Sequence, residues 1–336
     1  MGRRRGGSGG GGGGPGAGAG IGTAVSDRSY YGRAVLKEPV WTPEVALYFW
    51  LGGLAGISAL LGFGARLVGN HRLARSSILA SFVALLGCPP LLVADLGRPG
   101  RFYNMLRVFK PTSPMSVGSW VLTGFGGAIG AAALSELSET LLPAGPPAAL
   151  RWLRALGRPA ELVAATLGLP LATYTAVLIS DTSVPVWHEA RHHLPFVFAG
   201  SAAASAGAVA GALTPPRHSG PARFLAVFGS LLELGAAALM ERSLGERAEP
   251  YRRGPASEAA TAARVLTGTG AALLAAAGRR RPVAVAAGAL ILGGSLAQRF
   301  AVLRAGPPSA RETRGDNTVK ALPGELGRPP RRRSLR

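Results

Sequence analysis

Cysteine is almost missing from this chain: of 336 residues only Cys88 carries a thiol. One thiol cannot form an internal disulfide, and it cannot hold an iron–sulfur cluster, which takes about four thiolates. Histidine is nearly as scarce. His71, His188, His192, His193 and His218 all fall between apolar blocks, so the paired mid-membrane ligands of a membrane haem b are absent. Acidic residues are few, 17 against 37 Lys and Arg, giving a net charge of +20. The amino-terminal stretch MGRRRGGSGGGGGGPGAGAG lacks the apolar core of a secretory signal, and a glycine run follows Arg3–Arg5 where a twin-arginine signal would turn hydrophobic. Stacking motifs for nucleic acid are also wanting, so the basic excess predicts contact with anionic lipid headgroups and not with nucleic acid.

What the chain does have is apolar length. Eight blocks of about twenty residues, each able to cross roughly 30 Å of hydrocarbon as a helix, lie at 44–65, 76–94, 117–135, 162–180, 195–213, 222–241, 259–277 and 283–303. Arg264 and Gln298/Arg299 interrupt the last two. The connections are too short for a separate soluble catalytic domain. The pattern predicts an all-α, polytopic integral membrane protein with about eight transmembrane helices in two four-helix sets, 44–180 and 195–305, flanked by disordered tails at 1–43 and 306–336. Glycines at small-xxx-small spacing (Gly52/Gly56, Gly126/Gly130, Gly207/Gly211) predict close helix packing in lipid. Pro89–Pro90 and Pro170 predict kinks.

The densest polar chemistry lies in one connection, DLGRPGRFYNMLRVFKPTSPMSVGSW, residues 95–120. Arg98, Arg101, Arg107 and Lys110 interleave with Phe102, Tyr103 and Phe109, while three prolines fix φ near −65°. An interfacial carboxylate is costly unless paired, so Asp95 is expected to bridge to Arg98 or Arg101. Ser116 or Ser119 suits the N-cap of the helix that follows. Glu44 and Tyr48 share a helix face one turn apart, and Tyr174 adds a second phenol from the fourth block. Glu233 stands mid-block in FLAVFGSLLELGAAALM, where a carboxylate is a functional candidate by default. It is expected to be protonated, to pair with Arg264, or to belong to a proton path. HEARH, from His188 to His192, fits the H-E-x-x-H zinc pattern, with Glu189 as general base; a membrane-embedded zinc metalloprotease is therefore the alternative reading.

The order of residues in 95–120 resembles the NrfD-type membrane subunit of polysulfide-reductase-like oxidoreductases. YYGRAVLKEPVWTPEVALYFWLGGLAG (30–56) and YTAVLISDTSVPVWHEARHHLPFVFAGSAAASAG (174–207) fit the same family, and the resemblance extends over roughly residues 30–310. It implies a multi-pass subunit of the bacterial plasma membrane that binds menaquinone or another quinone and carries no haem, iron–sulfur cluster or metal of its own. Electrons would pass between the quinone pool and a docked iron–sulfur subunit serving a molybdopterin or tungstopterin catalytic subunit. On this resemblance Asp95 and Glu44 are the catalytic candidates and Tyr48, Tyr174, Arg98, Arg101 and Tyr103 the quinone-binding ones. Glu233 marks a proton path, and Arg107, Lys110, Trp187 and His188 are expected to face the partner. Lys and Arg counts near the block ends place the 95–116 face in the cytoplasm, whereas the resemblance places it outside.

Overall fold

The structure is a computed structural model that describes residues 41–96, 98–142 and 151–319. The predicted tail over 1–43 lies outside these residues except for its last three, and so does 320–336. Among the described residues ten α-helices run in order: α1 Pro43–Leu67, α2 His71–Ala94, α3 Pro114–Leu141, α4 Arg151–Ser180, α5 Pro185–Glu189, α6 Leu194–Leu213, α7 Gly220–Leu244, α8 Glu249–Arg252, α9 Pro255–Ala277 and α10 Arg281–Val319. A 3₁₀ segment, Pro99–Leu106, lies in the connection after α2. No strand occurs among the described residues. Eight of the helices are long and apolar enough to cross a membrane, matching the eight predicted blocks. This is a polytopic all-α membrane protein.

Local chemistry explains the helix starts. Proline opens α1, α3, α5 and α9 (Pro43, Pro114, Pro185 and Pro255), where its missing N–H costs nothing. Asn70 caps α2 by accepting from the Leu73 N–H at 3.3 Å. Ser113 caps α3, accepting from the Ser116 N–H at 3.5 Å, so neither Ser116 nor Ser119 is the cap. The Ser116 hydroxyl instead closes the preceding loop, donating to the Val108 carbonyl at 3.2 Å and accepting from the Lys110 N–H at 3.0 Å. The last turn of α3 has its carbonyls satisfied from α4, where Arg154 donates to Ser138 and Leu142 at 3.4 and 3.0 Å. Pro89–Pro90 and Pro170 lie within α2 and α4, which remain helical through them.

Packing is closest between α1 and α2, α3 and α4, and α1 and α4, and again between α6 and α7 and between α9 and α10. α1 also packs on α6 and reaches α10, so helices from both halves of the chain share one core. Backbones meet closely where Gly56 of α1 faces Gly168 of α4: a Cβ at either would lie 2.3 Å from the other's carbonyl oxygen. Of the predicted small-residue pairs, Gly56 and Gly207 are in such close approach, while Gly52 has open space around its missing Cβ. Large apolar side chains such as Val83, Leu86, Val163, Phe224 and Leu231 are exposed on helix faces, which a lipid solvent requires.

α10 departs from expectation. It continues past Gly306, the predicted start of a polar tail, through Pro307 and Pro308 to Val319. Two prolines would ordinarily end a helix, but tertiary contacts hold this turn. The Trp187 indole donates to the Val302 carbonyl at 2.7 Å, and the Val186 N–H donates to Ser309 Oγ at 3.1 Å. A Cβ at position 306 would lie 2.1 Å from the Trp187 ring, so glycine is required beneath it.

Candidate functional site

Four helices converge on one buried spot. Tyr48 of α1 and Tyr174 of α4 are hydroxyl to hydroxyl, joined by a hydrogen bond. Gly118 of α3 makes room for the Tyr174 ring, because a Cβ there would overlap Cε2 at 2.1 Å. Cys88 of α2 lies within electrostatic reach of both phenols, its own thiol turned to the Ala84 carbonyl at 3.6 Å. Tyr48 belongs to the main apolar core, 5.9 Å from the Phe49 ring, and Tyr174 packs against that core. Two phenol donors set in an apolar surround can receive carbonyl oxygens on a flat apolar molecule.

Above this pair, at the start of α1, the backbone brings together the two carboxylates predicted to matter. Asp95, the residue that ends α2, accepts a hydrogen bond from Thr42 Oγ at 2.9 Å. Glu44 lies in the first turn of α1, two residues after Thr42. The expected Asp95 bridge to Arg98 or Arg101 does not form: among the described residues neither arginine makes an ion pair with it. The 3₁₀ segment carries Arg101 and Tyr103 outward, and Arg98 is exposed as well. Arg98, Arg101 and Tyr103 are thus not brought to the tyrosine pair and belong to the surface, as do Arg107 and Lys110. Phe102 and Tyr103 meet edge to face at 6.3 Å, and Phe109 meets Trp120 at 6.2 Å.

The second connection behaves differently from prediction. Trp187, expected to face a partner, is fully enclosed (0% exposed), stacked on Trp41 at 5.1 Å and seated on Gly306. Its value as a large apolar plug outweighed its position in a polar connection. His188 remains exposed, with Nδ1 3.2 Å from the Ser180 carbonyl oxygen. HEARH is not a continuous α-helical turn, because α5 ends at Glu189 and residues 190–192 are 3₁₀. Glu189 is ion-paired with Arg247, and no group of three or more His, Cys, Asp or Glu side chains suited to a metal occurs among the described residues. The zinc protease reading is unsupported.

Glu233 is buried (1% exposed), as its mid-helix position requires, but its cation is not Arg264. Arg264 pairs with Glu241 at 2.5 Å. Arg299 of α10 is the charge that faces Glu233, and Ser295 Oγ donates to Glu233 Oε2 at 3.2 Å. The Arg299 guanidinium stacks over the Phe198 ring at 3.7 Å and donates to the Phe198 carbonyl at 3.0 Å. Phe198 in turn lies 6.2 Å from Phe49, the neighbour of Tyr48. The Arg299 that interrupts the last apolar block therefore reaches, through Phe198 of α6, the core around α1.

A third cluster escaped the sequence reading. Arg66, at the end of α1, donates through Nε to Glu161 of α4 at 2.7 Å and through Nη2 to Glu136 of α3. Glu136 falls one residue beyond the predicted block 117–135, and Glu161 one residue before 162–180, so both were placed at the edge. α3 and α4 extend further at that end and bury them.

Among comparisons with known proteins, no curated protein matches the chain. The family described as polysulphide reductase, NrfD, matches residues 34–240, more than half of the sequence, and takes in α1 to α4 with the tyrosine pair, the 95–120 connection and most of α7. The match, the eight spans and the resemblance of the 95–120 segment agree, and the chain belongs to the NrfD family of membrane subunits of oxidoreductase complexes.

Proposed function

We propose that this subunit binds a quinone at the Tyr48–Tyr174 pair and exchanges electrons between the membrane quinone pool and a docked iron–sulfur subunit, which serves a molybdopterin or tungstopterin catalytic subunit. The observation that carries this reading is the meeting of two phenols, Tyr48 of α1 buried and Tyr174 of α4 half-buried, in an apolar surround, with Gly118 leaving space for one ring. Phenol O–H groups orient the carbonyl oxygens of a quinone, and the aromatic and aliphatic neighbours receive its ring. Glu44 and Asp95, one turn above on the side of the 95–120 connection, take up or supply protons. The exposed cations Arg98, Arg101, Arg107 and Lys110 steer an acidic partner surface onto that face. His188 lies exposed in the second connection and joins the docking surface. Glu233, facing Arg299, belongs to a proton path in the second helix set.

The test uses the native complex, purified in mild detergent, with Tyr48→Phe and Tyr174→Phe compared with the parent. Both variants are expected to lose quinone recovered by organic extraction and to lose quinol turnover, while the complex keeps its iron, acid-labile sulfide and molybdenum or tungsten. Parental quinone content and turnover in both variants would remove the tyrosine pair as the site.

A further inference from the structure

The contacts between α1 and α4 run in opposite order along the chain, Tyr48 with Tyr174 and Gly56 with Gly168. The interface is closed by phenol tips at one level and by touching backbones at the other, about 12 Å apart along α1 at 1.5 Å per residue. Gly52 stands midway, one helical turn from each and on the same face. It is buried, yet among the described residues a Cβ there would meet no atom of a neighbouring helix within 4 Å. Gly53 beside it differs, since its Cβ would meet that of Ala202 at 3.1 Å. Glycine weakens a helix relative to alanine, and at Gly56 the approach of another backbone explains it. At Gly52 no neighbouring helix claims the space. Thr175 of α4, two turns after Gly168, stands on the side toward α1. It is 2% exposed, and its hydroxyl has no hydrogen-bond partner among the described residues. A buried hydroxyl left unpaired costs free energy, which an acceptor on a ligand would offset.

We propose that the gap between α1 and α4 seats the quinone ring over the bare backbone of Gly52, with the Thr175 hydroxyl donating to a ring carbonyl. The inference rests on the quinone reading above and adds two residues to it. A planar ring needs little depth between two helices, and a glycine leaves the flat wall against which such a ring lies. The phenol pair bounds the gap on the side of the 95–120 connection, and the Gly56–Gly168 contact bounds it toward the middle of the membrane. Ring size and substitution are therefore read at Gly52, where any side chain would compete with the ligand and not with the protein. Thr175 fixes the ring by a directional bond that an apolar molecule of the same shape could not accept.

The experiment compares Gly52→Ala, Gly52→Leu, Thr175→Val and Thr175→Ser with the parent in the native complex, each checked for assembly by its thermal midpoint. Turnover is assayed with a prenylated quinol and with its tail-less analogue, and bound quinone is extracted from the purified complex. Gly52→Ala is expected to keep or raise the midpoint, because alanine favours the helix, and to raise KM for both quinols about threefold. Gly52→Leu is expected to raise both about tenfold or more and to lose the extracted quinone. Thr175→Val is expected to raise KM about tenfold, the loss of one hydrogen bond, and Thr175→Ser to restore it. Gly64→Ala, also at an α1 glycine with open space around its missing Cβ but exposed, is expected to leave KM parental. Parental KM in Gly52→Ala, a rise for the prenylated quinol alone, an equal rise in Gly64→Ala, or no effect of Thr175→Val would overturn the proposal. Should Gly52→Leu fail to assemble, Gly52→Ala decides. Tyr174→Phe separates the two levels. If it cuts turnover while Gly52→Ala leaves KM parental, this inference alone fails; if it too leaves turnover intact, the quinone reading has failed with it.

Discussion

The two ends of α1 carry similar residue types put to opposite uses. At one end, Arg66 clamps Glu136 and Glu161 and so ties α1, α3 and α4 together. At the other, Asp95 meets the Thr42 hydroxyl, Glu44 follows two residues later, and no cation pairs with either carboxylate among the described residues. About 27 Å of helix separates Arg66 from Tyr48, at 1.5 Å per residue. A carboxylate held by a guanidinium is a fastening, because its lone pairs are committed to fixed donors. A carboxylate met by a hydroxyl keeps a partner that both gives and accepts hydrogen. The contrast separates charge spent on holding helices from charge left for chemistry.

The largest expected effect breaks the fastened end. Arg66→Ala leaves two carboxylates uncompensated and should cost about 3–5 kcal/mol, read as a lower thermal midpoint of the complex, with turnover per assembled complex close to parental. Replacing Arg66, Glu136 and Glu161 together by Met should recover most of that loss, since an apolar trio has no charge to desolvate. The open end should respond the other way. Tyr174→Phe removes one of the two phenol donors, and a loss of about 1–3 kcal/mol at the transition state corresponds to roughly a five- to 150-fold fall in quinol turnover. Gly118→Ala sharpens the point, because its methyl would displace the Tyr174 ring without removing a hydroxyl; turnover should fall there too.

Smaller effects belong to the surface. Arg101→Glu should slow association of the iron–sulfur subunit by about tenfold at low salt, with the difference shrinking as salt screens the loop. Binding kinetics on immobilised complex at two ionic strengths would show it. The smallest effect is expected at Arg264, whose pair with Glu241 is half-exposed at 46% and 19%. Arg264→Met should move stability by less than about 1 kcal/mol, in contrast to Arg66.

The sequence shows its spans clearly because a membrane writes its thickness into runs of apolar residues; the predicted blocks and the eight long helices agree closely. Tyr48, Tyr174, Glu44 and Asp95 were legible as candidates from residue type and position. Their partners were not. Thr42 stands fifty-three positions from Asp95, and nothing local favours it over the nearby arginines. Trp187 failed for the same reason, since Gly306, the residue that makes its seat, lies more than a hundred positions away. Arg66, Glu136 and Glu161 were hidden by block edges, where a shift of one residue decides whether an acid counts as inside or outside.

The continuation of α10 has a further consequence for the assembled complex. Thirty-nine helical residues rise roughly 58 Å at full extension, well beyond the ~30 Å of a hydrocarbon core. The surplus emerges beside the 181–194 connection, braced by Trp187. A subunit docked on that connection, as proposed above, would meet a standing post at its edge, and its footprint would be bounded on that side before a single charge is exchanged.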